Sequence, residues 1–386
     1  MEMKRMPNCI KGQDLREKTV LVRVDYNSSL EDGEVSDSFR IDASAETIRY
    51  CLHQNAKVVL ISHFGRPSGI DTSLSLENVI GVIENSLGHK VRFFPDCVGN
   101  ATQQFVLSQP HSSVILLENL RFYGGEKRNE AEFAKQLKRL GDVYVNEAFS
   151  ASHNPDASMT SLPQLFPEDM RFAGFHLIEE IQLMEEALSR PKKGYVLVVG
   201  GSKVEAKLPV IKHFIDTAER ILLGGRVANS VLSALGYQTW SSNVSLGTDV
   251  HELAELVKTN GSLFYLPNDF CGIASYFLEP VGLTDMKFYD IGESTSALYC
   301  RIIEKADSIV HAGPLGHIEV PDFRKGTEAV AKAVANNHSF KLVGGGETLS
   351  VYSSLKLLNQ VHASTGGSAM LHYLSGQNMP GITALM

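Results

Sequence analysis

The sequence predicts an α/β protein of two doubly wound, Rossmann-like domains, each built on a parallel sheet. Short, continuously apolar runs alternate with longer segments of helical periodicity along the whole chain. Continuous rather than alternating hydrophobicity is typical of parallel strands that helices cover on both faces. The length of 386 residues is sufficient for two hydrophobic cores of ordinary size.

The apolar runs are the predicted strands, and the periodic segments between them are the predicted helices. The strands fall at 19–24, 57–61, 91–94, 114–117 and 143–145 in the first half, and at 195–199, 221–223, 263–266, 308–310 and 341–343 in the second. Helical patterns include 42–54, 131–140, 210–217, 227–235 and 326–335.

We expect residues 1–172 to form a first domain and residues 191–369 a second. Between them, residues 173–190 carry a helical stripe of apolar side chains before Pro191: Leu177, Ile178, Ile181, Met184 and Leu188. This segment contains no Ser/Gly-rich or Pro-rich linker sequence. We therefore expect a single helix to join the two lobes, which transmits a hinge motion better than a flexible linker does. The alternative is an ordinary crossover helix inside one domain.

Charge and cysteine content exclude several classes of protein. The formal net charge of −8 argues against a general nucleic-acid or acidic-membrane binder. No apolar run approaches the ~20 residues that a membrane-spanning helix needs. The cysteines are scattered and include no C-x-x-C pair, which indicates reduced thiols: Cys9, Cys51, Cys97, Cys271 and Cys300. We therefore expect a cytoplasmic protein with neither nucleic acid nor membrane as a partner.

Glycine clusters lie at the ends of predicted strands throughout the second half. Glycine lets the backbone approach a ligand closely, and the amides of a following helix then point at it. This arrangement suits phosphate, so we interpret the second half as a nucleotide or polyphosphate platform. The clusters are Gly200-Gly201, Gly224-Gly225, Gly344-Gly345-Gly346 and Gly366-Gly367.

Charged residues accompany two of these clusters. Lys203 and Lys207 are spaced by one helical turn and can meet phosphoryl oxygens, although spacing alone equally fits lysines on a solvated helix. The Walker A and G-x-G-x-x-G motifs are absent. Glu347 and Thr348 follow the glycines at a predicted helix start, where they can hold Mg²⁺ beside a phosphate chain. The alternative is a helix cap in which Glu347 interacts with the helix dipole.

The first half instead places arginines on the polar segments that follow its strands. The guanidinium fork suits a carboxylate or a phosphate, so this half is predicted to bind a small anionic substrate. No nucleophile–base arrangement, carboxylate pair or zinc-ligand spacing stands out, so proton chemistry is not the favoured mechanism. A lone His63 or His153 is more often structural than catalytic. The residues that carry this prediction are Arg23, Asp25, Asn27, Arg40, His63, Arg66 and Arg121.

Ordered motifs along nearly the whole chain make it similar to the phosphoglycerate kinase family. These motifs occur in one chain and in one order, which makes the resemblance specific. They are RVDYN (23–27), SHFGRP (62–67), LLENLRFYGGE (116–126), DVYVNEAF (142–149), GGSKVEAK (200–207), LPND (266–269), GPLGHIE (313–319), VGGGET (343–348), STGG (364–367) and MPGI (379–382).

The resemblance implies reversible phosphoryl transfer between ATP and the carboxylate of 3-phosphoglycerate, by a monomer with Mg²⁺ and ATP/ADP as cofactors. It also implies two lobes about a hinge, with the tail 370–386 completing the first. Substrate-binding residues are then Asp25, Asn27, Arg40, His63, Arg66, Arg121 and His153. Nucleotide-binding residues are Gly201, Lys203, Lys207, Gly225, Glu319, Gly345, Gly346, Glu347 and Thr348, with Glu347 on the metal. Catalytic residues are Arg40, Lys203, Lys207, Gly366 and Gly367.

Several residues depart from the family's pattern at both ligand sites. Asn154 and Asp156 replace an arginine and a histidine of an A-H-R-A-H motif, and Glu347 replaces a metal-binding aspartate. Two alternatives follow: a related kinase that phosphorylates a different carboxylate, or a non-catalytic nucleotide-binding or scaffold protein. The other departures are Ser28-Ser29 for Val-Pro, Ala206 for Asp, Arg226 for Gly and Ala312 for Asn.

Overall fold

A computed structural model describes residues 6–28, 30–31, 34–35, 38–237, 247–272, 276–277 and 288–386. Ser29, one of the departures noted above, lies outside the described residues. The chain divides into two compact units, Met1–Gln182 with Asn378–Met386, and Leu183–Gln377. Each unit contains a parallel six-stranded sheet, which confirms the predicted fold class.

The sheet of the first unit has the strand order β5-β6-β4-β1-β7-β8, and all its pairings are parallel. Every residue of the central strand β4 is buried, as continuous hydrophobicity predicts. Strands β2 and β3 form a separate antiparallel pair. The bounds are β1 (Thr19–Arg23), β2 (Leu30–Glu31), β3 (Glu34–Val35), β4 (Lys57–Ile61), β5 (Val91–Phe94), β6 (Val114–Leu117), β7 (Val143–Asn146) and β8 (Arg171–Ala173).

Helices of the first unit bury apolar side chains against this sheet. The predicted helix 42–54 is two helices, because Ser44 turns its hydroxyl back to the carbonyl of Ile41 at 2.9 Å and separates them. The chain leaves the first unit within the last helix, α8. The bounds are α1 (Phe39–Ala43), α2 (Ala45–His53), α3 (Ile80–Leu87), α4 (Asn100–Ser108), α5 (Gly124–Lys127), α6 (Ala131–Lys138), α7 (Ser161–Gln164) and α8 (Phe175–Ser189).

The second unit has a parallel sheet of order β11-β10-β9-β15-β16-β17. It also has a small antiparallel sheet, β13-β12-β14, which the sequence did not predict because its strands lack a continuous apolar run. The bounds are β9 (Tyr195–Val199), β10 (Arg220–Leu223), β11 (Phe264–Tyr265), β12 (Asp269–Gly272), β13 (Tyr276–Phe277), β14 (Phe288–Ile291), β15 (Ser308–Ala312), β16 (Phe340–Gly344) and β17 (His362–Ser364).

The first helix of the second unit begins earlier than the pattern 210–217 predicts, because it continues through Pro209. Proline normally interrupts a helix, but buried Leu208, Val210 and Ile211 surround it and hold the helix by packing. The bounds are α9 (Val204–Phe214), α10 (Gly225–Ala234), α11 (Thr248–Thr259), α12 (Glu293–Glu304), α13 (Lys325–Asn336), α14 (Gly346–Ser354) and α15 (Ser368–Leu374), while α16 (Pro380–Thr383) belongs to the first unit.

In each parallel sheet, the chain continues from two neighbouring strands to strands on opposite sides of that pair. In the first sheet, β1 leads to β4 on one side and β7 leads to β8 on the other. In the second sheet, β9 and β15 diverge in the same way, toward β10 and β16. Ligands of open α/β sheets bind in the crevice at the carboxyl ends of such strands. The residues after β1, β7, β9 and β15 are therefore the positions where a site is expected.

The end of the chain is anchored beside one of these positions. The amide of Gly381 in α16 donates to the carbonyl of Ser152 at 2.9 Å, and the side-chain amide of Asn146 donates to the carbonyl of Gly381 at 3.1 Å. Asn146 ends β7 and Ser152 follows it, so the tail supports the segment after β7. A side chain at Gly381 has no room, because its Cβ would lie 3.0 Å from the Cα of Ser152.

Replacing Gly381 by alanine should therefore destabilise the first unit. Crowding against a backbone atom that cannot yield costs about 1–3 kcal/mol, and the tail's hydrogen bonds weaken with it. Urea denaturation followed by circular dichroism measures the loss. The control is Gly81→Ala, at an exposed helical glycine with nothing within 4 Å of the added Cβ, which should be neutral or stabilising. Equal stability of Gly381→Ala and the parent protein would contradict this account of the tail.

Candidate active site

Asp25, two residues beyond β1, is the centre of the polar network in the first unit. Its Oδ2 lies 3.1 Å from a guanidinium nitrogen of Arg40 and accepts a hydrogen bond from Ser150. Its Oδ1 accepts from the amide of Asn27 at 3.0 Å, and Arg40 also donates to the carbonyl of Asn27 at 2.9 Å. Burial opposes ionisation of Asp25, but the charge of Arg40 and these hydrogen bonds lower its pKa overall. Asp25 is therefore an ionised carboxylate that fixes Arg40.

Asn27 connects this cluster to Arg121 through the backbone of Gly65. The side-chain oxygen of Asn27 accepts from the amide of Gly65 at 2.7 Å, and Arg121 donates to the carbonyl of Gly65, also at 2.7 Å. Arg121 lies on a short 3-10 turn after β6, and the side chain of Asn119 accepts from its amide at 3.0 Å. The structure thus brings residues from three strand ends into one network.

His63 is held as a neutral imidazole. A guanidinium nitrogen of Arg23 lies 2.9 Å from His63 Nδ1, and a guanidinium group only donates, so Nδ1 must accept and the ring proton is on Nε2. Burial first, and then the charge of Arg23, lower the pKa of His63 well below its usual value. His63 can therefore donate a hydrogen bond from Nε2 to a ligand oxygen, but it contributes no positive charge.

Arg23 has a different role from the other arginines that follow the strands. It is fully buried and donates from Nε to Ser158 at 2.9 Å, and Ser158 in turn donates to Glu126 at 2.6 Å. Burial raises the pKa of Glu126, and the charge of Arg23 opposes that rise. Arg23 consequently supports the site from within the core and is not exposed to a ligand. The sequence did not reveal Ser150 or Ser158, since single serines have no distinctive spacing.

Two further predicted residues of the first unit are accessible. Arg66 is exposed next to Gly65, and no side chain of the described residues pairs with its guanidinium group. His153 is half-buried in the segment after β7. Buried Asp156, three residues on, lies 2.8 Å from Lys127 Nζ and 3.9 Å from a guanidinium nitrogen of Arg121. Lys127 could not be identified from the sequence, because only the tertiary fold brings α5 beside this segment.

In the second unit, two glycine-rich loops meet at the carboxyl ends of β9 and β15. The amide of Gly200 donates to the carbonyl of Ala312 at 3.2 Å, and the amide of Gly201 donates to that of Pro314 at 2.7 Å. Gly313 has a φ of +108°, and a Cβ there would lie 2.3 Å from the carbonyl oxygen of Gly200. Only glycine allows this approach. The amide of Gly225, at the start of α10, donates to the Leu315 carbonyl at 2.8 Å and adds a third strand end.

The two predicted lysines lie beside these loops but differ in their environment. Lys203 is exposed and precedes α9 as its N-cap, so it is not on the helix as the sequence predicted. Lys207 is half-buried in the first turns of α9. Burial lowers its pKa to about 8, and the carboxylate of Glu347 opposes this shift. The electrostatic influence of Glu347 on Lys207 means that residues from α9 and α14 share one region.

The remaining candidates of the second unit lie at the ends of β15, β16 and β17. Glu347 is exposed in the first turn of α14, whereas Thr348 is buried and its hydroxyl accepts from the amide of Gly313 at 2.9 Å. Thr348 therefore supports the glycine loop from inside. Glu319 is exposed and lies 3.3 Å from His317. Gly345 and Gly346 begin α14, and Gly366 and Gly367 precede α15, with the Gly366 amide donating to Ser364 at 3.1 Å.

Known proteins resemble the chain over almost its full length. The family model described as phosphoglycerate kinase matches residues 10–377. The phosphoglycerate kinase of Wolbachia sp. subsp. Drosophila simulans (strain wRi) is 38% identical, with 100% of this chain and 99% of the relative covered. That of Thermomicrobium roseum is also 38% identical, with 98% of each chain covered. The solved phosphoglycerate kinase of Pyrococcus horikoshii OT3 superposes with a TM-score of 0.88 at 29% identity, and covers 98% of both chains.

The fold and these relatives define a kinase that uses a nucleotide and a small-molecule substrate. Within that class, the chain belongs to the phosphoglycerate kinase family. Among the described residues, none of the helices has the length and apolar character that crossing a membrane requires.

The lowered pKa of Lys207 predicts an alkaline limb in the pH profile of this kinase. The sequence predicts that this ammonium group meets phosphate. It loses its proton as the pH rises through about 8, so kcat/KM for the nucleotide should fall there. Lys207→Arg should abolish this limb, because a guanidinium group stays protonated. The control Lys203→Arg, at the exposed lysine, should retain it. The same limb in Lys207→Arg and in the parent enzyme would show that another group causes it.

Proposed function

We propose that the protein catalyses reversible phosphoryl transfer between ATP and the carboxylate of 3-phosphoglycerate, which gives ADP and 1,3-bisphosphoglycerate. The observation that carries this proposal is the hydrogen-bonded network from Arg40 through Asp25, Asn27 and Gly65 to Arg121 at the switch point of the first sheet. It holds two arginines in fixed orientations, Arg40 from α1 and Arg121 from the turn after β6, as a small acid with two anionic ends requires. Membership of the family supplies the reaction class.

The electrostatics of the site suit an acceptor that needs no general base. A carboxylate is ionised at neutral pH, so its oxygen attacks the terminal phosphorus of ATP, a new O–P bond forms, and the bond to the ADP oxygen breaks. No proton moves in this step. The neutral state of His63 and the ionised state of Asp25 agree with a site that holds and orients rather than relays protons. Catalysis then rests on alignment and on positive charge around the moving group.

The proposal assigns the substrate acid to the first unit. Asp25, Asn27, His63, Arg66, Arg121 and His153 hold it, and Arg40 also stabilises the transferred group. We assign residues 1–172 with the chain end to the acid, residues 191–369 to the nucleotide, and residues 173–190 to the connection. Support for the first assignment is the network that joins Asp25, Asn27, Arg40 and Arg121, with Gly381 anchored beside β7.

The second unit fits a nucleotide. The glycine loops after β9 and β15 leave a surface of backbone without side chains, and half-buried Lys207 makes no ion pair with the described residues. In our assignment, Gly201, Gly225, Gly345, Gly346, Thr348 and Glu319 bind the nucleotide, and Lys203 with Gly366 and Gly367 completes the transfer site. Backbone amides and lysines are suited to the phosphates.

Glu347 fits Mg²⁺ in the form that kinases use. Its carboxylate is exposed in the first turn of α14, and among the described residues no group of three or more His, Cys, Asp and Glu side chains forms a cage for a metal ion. Mg²⁺ is commonly held by one carboxylate together with phosphate oxygens and water. Bound in this way, the ion would supply positive charge that neutralises the phosphate chain.

A different carboxylate as the acceptor is the second candidate function. Asp156 places a negative charge beside Arg121, where the family has a histidine, and a less anionic acid would tolerate it better. Exposed Arg226 at the start of α10, with Ala206 and Ala312, motivates the third alternative of a non-catalytic nucleotide-binding protein.

Trapping the acyl phosphate with hydroxylamine distinguishes these functions. The protein is incubated with MgATP, hydroxylamine and one of several carboxylates, and hydroxamate and ADP are measured. Formation of both with 3-phosphoglycerate supports the proposed function. Turnover only with another acid supports the second candidate, and nucleotide binding without turnover of any acid supports the third.

Arg40→Ala should lower kcat by about 100-fold or more, because it removes charge at the site of transfer. Binding of ADP, measured by calorimetry, should change by less than about twofold. The kcat of Arg40→Lys should lie between those of Arg40→Ala and the parent enzyme, since lysine keeps the charge and loses the guanidinium fork. The control is Arg16→Ala, at an exposed arginine that pairs with Asp14 at 2.7 Å, and it should leave kcat unchanged. An unchanged kcat in Arg40→Ala would rule out the catalytic role.

A further inference from the structure

A buried carboxylate lies inside the cationic part of the acid-binding network. Asp156 is 1% exposed, and its Oδ1 lies 2.8 Å from Lys127 Nζ. Its Oδ2 lies 3.9 Å from a guanidinium nitrogen of Arg121, which is too long for a hydrogen bond. Within the described part of the chain, no donor reaches this buried oxygen. One of the two carboxylate oxygens is thus paired and the other is directed at Arg121 without a partner.

Arg121 is also incompletely paired. One guanidinium nitrogen donates to the carbonyl of Gly65 at 2.7 Å, but its buried Nε has no hydrogen-bond partner among the described residues. Buried guanidinium and carboxylate groups without partners are costly, and such atoms indicate a place that a ligand or water completes. Because burial weakens dielectric screening, the charges of Asp156, Lys127 and Arg121 act strongly on any anion bound here.

We propose that Asp156 determines the charge specificity of the acid-binding pocket. Its negative charge offsets one of the two cations, so the pocket binds the phosphate end of the acid less tightly than Lys127 and Arg121 alone would. A phosphate monoester carries about −1.5 to −2 charge at neutral pH, whereas a hydroxyl end carries none, so the penalty falls on the phosphorylated acid. This inference rests on the proposed function, because it concerns the affinity for 3-phosphoglycerate.

Two variants test the inference: one removes a negative charge and the other removes a positive charge. Asp156→Asn keeps the shape and removes the negative charge, so KM for 3-phosphoglycerate should fall by about tenfold, with kcat and the nucleotide KM changed by less than about twofold. Lys127→Gln removes the cation that balances Asp156, so the same KM should rise by about tenfold. Lys127 is half-exposed, and this variant decides the question if Asp156→Asn fails to fold. A matched control is Glu132→Gln, an exposed carboxylate 3.6 Å from Lys135, which should change neither constant.

Binding of inorganic phosphate, measured by calorimetry, tests the pocket without turnover. Asp156→Asn should bind phosphate about tenfold more tightly than the parent protein, and Lys127→Gln more weakly. This result stands even when no turnover of 3-phosphoglycerate is found, which would overturn the proposed function alone. The two variants could instead shift KM in the same direction as each other, and phosphate affinity likewise. That result would assign the ion pair of Asp156 and Lys127 a purely structural role. That outcome, or unchanged values in both variants, overturns the inference.

Discussion

Close backbone contact at the switch point of the second sheet is the constraint on which the second unit depends. The loops after β9 and β15 pair through the amides of Gly200 and Gly201, and Gly313 reaches its position only with a positive φ. Thr348 completes the arrangement by accepting from the Gly313 amide. The two loops are therefore hydrogen-bonded to each other, and the amide of Gly225 at the start of α10 is held by the carbonyl of Leu315 in the same way.

In the first unit, hydrogen bonds between side chains, and not close backbone contacts, hold the residues at the strand ends in position. Arg23 is buried and must donate its hydrogen bonds, so the neighbours that accept them are fixed in turn: Ser158, the carbonyl of Val24, and Nδ1 of His63. The tautomer of His63 follows from this donation, and an ion pair joins Asp25 to the partly exposed Arg40 at 3.1 Å. The buried charge of Arg23 thus determines which nitrogen of His63 can donate a hydrogen bond. The glycine loops of the second unit require no such buried charge.

The strands and the residues at their carboxyl ends could be predicted from the sequence, because continuous apolar runs identify buried parallel strands. The bounds of β4, β5, β6 and β9 agree with the predicted ones. Three features could not be predicted in this way. The start of α9 was obscured by Pro209, since packing overrides the local propensity. The small antiparallel sheet has strands too short to give a pattern.

The third feature is the difference between arginines that look alike in sequence. Arg23 and Arg121 both lie at or just after the ends of strands, yet Arg23 is fully buried and Arg121 retains a nitrogen without a partner. The distinction depends on Ser158 and Asp156, which lie far from both arginines along the chain. Sequence position therefore predicts which edge of the sheet carries the arginines, whereas the loop after β7, which supplies Ser158 and Asp156, decides which of these charges is paired inside the protein.

Lys207 combines burial with a positive charge in the region that we propose for the nucleotide. Burial lowers the pKa of this lysine to about 8 because it disfavours the charged form. The carboxylate of Glu347 favours the charged form and opposes this shift. A phosphate chain that arrives beside it adds negative charge and must raise the same pKa. By thermodynamic reciprocity, protonation of Lys207 then favours the nucleotide to the same extent that the nucleotide favours protonation. In the proposed function, the ammonium group is consequently most firmly protonated in the nucleotide complex, where phosphoryl transfer uses its charge.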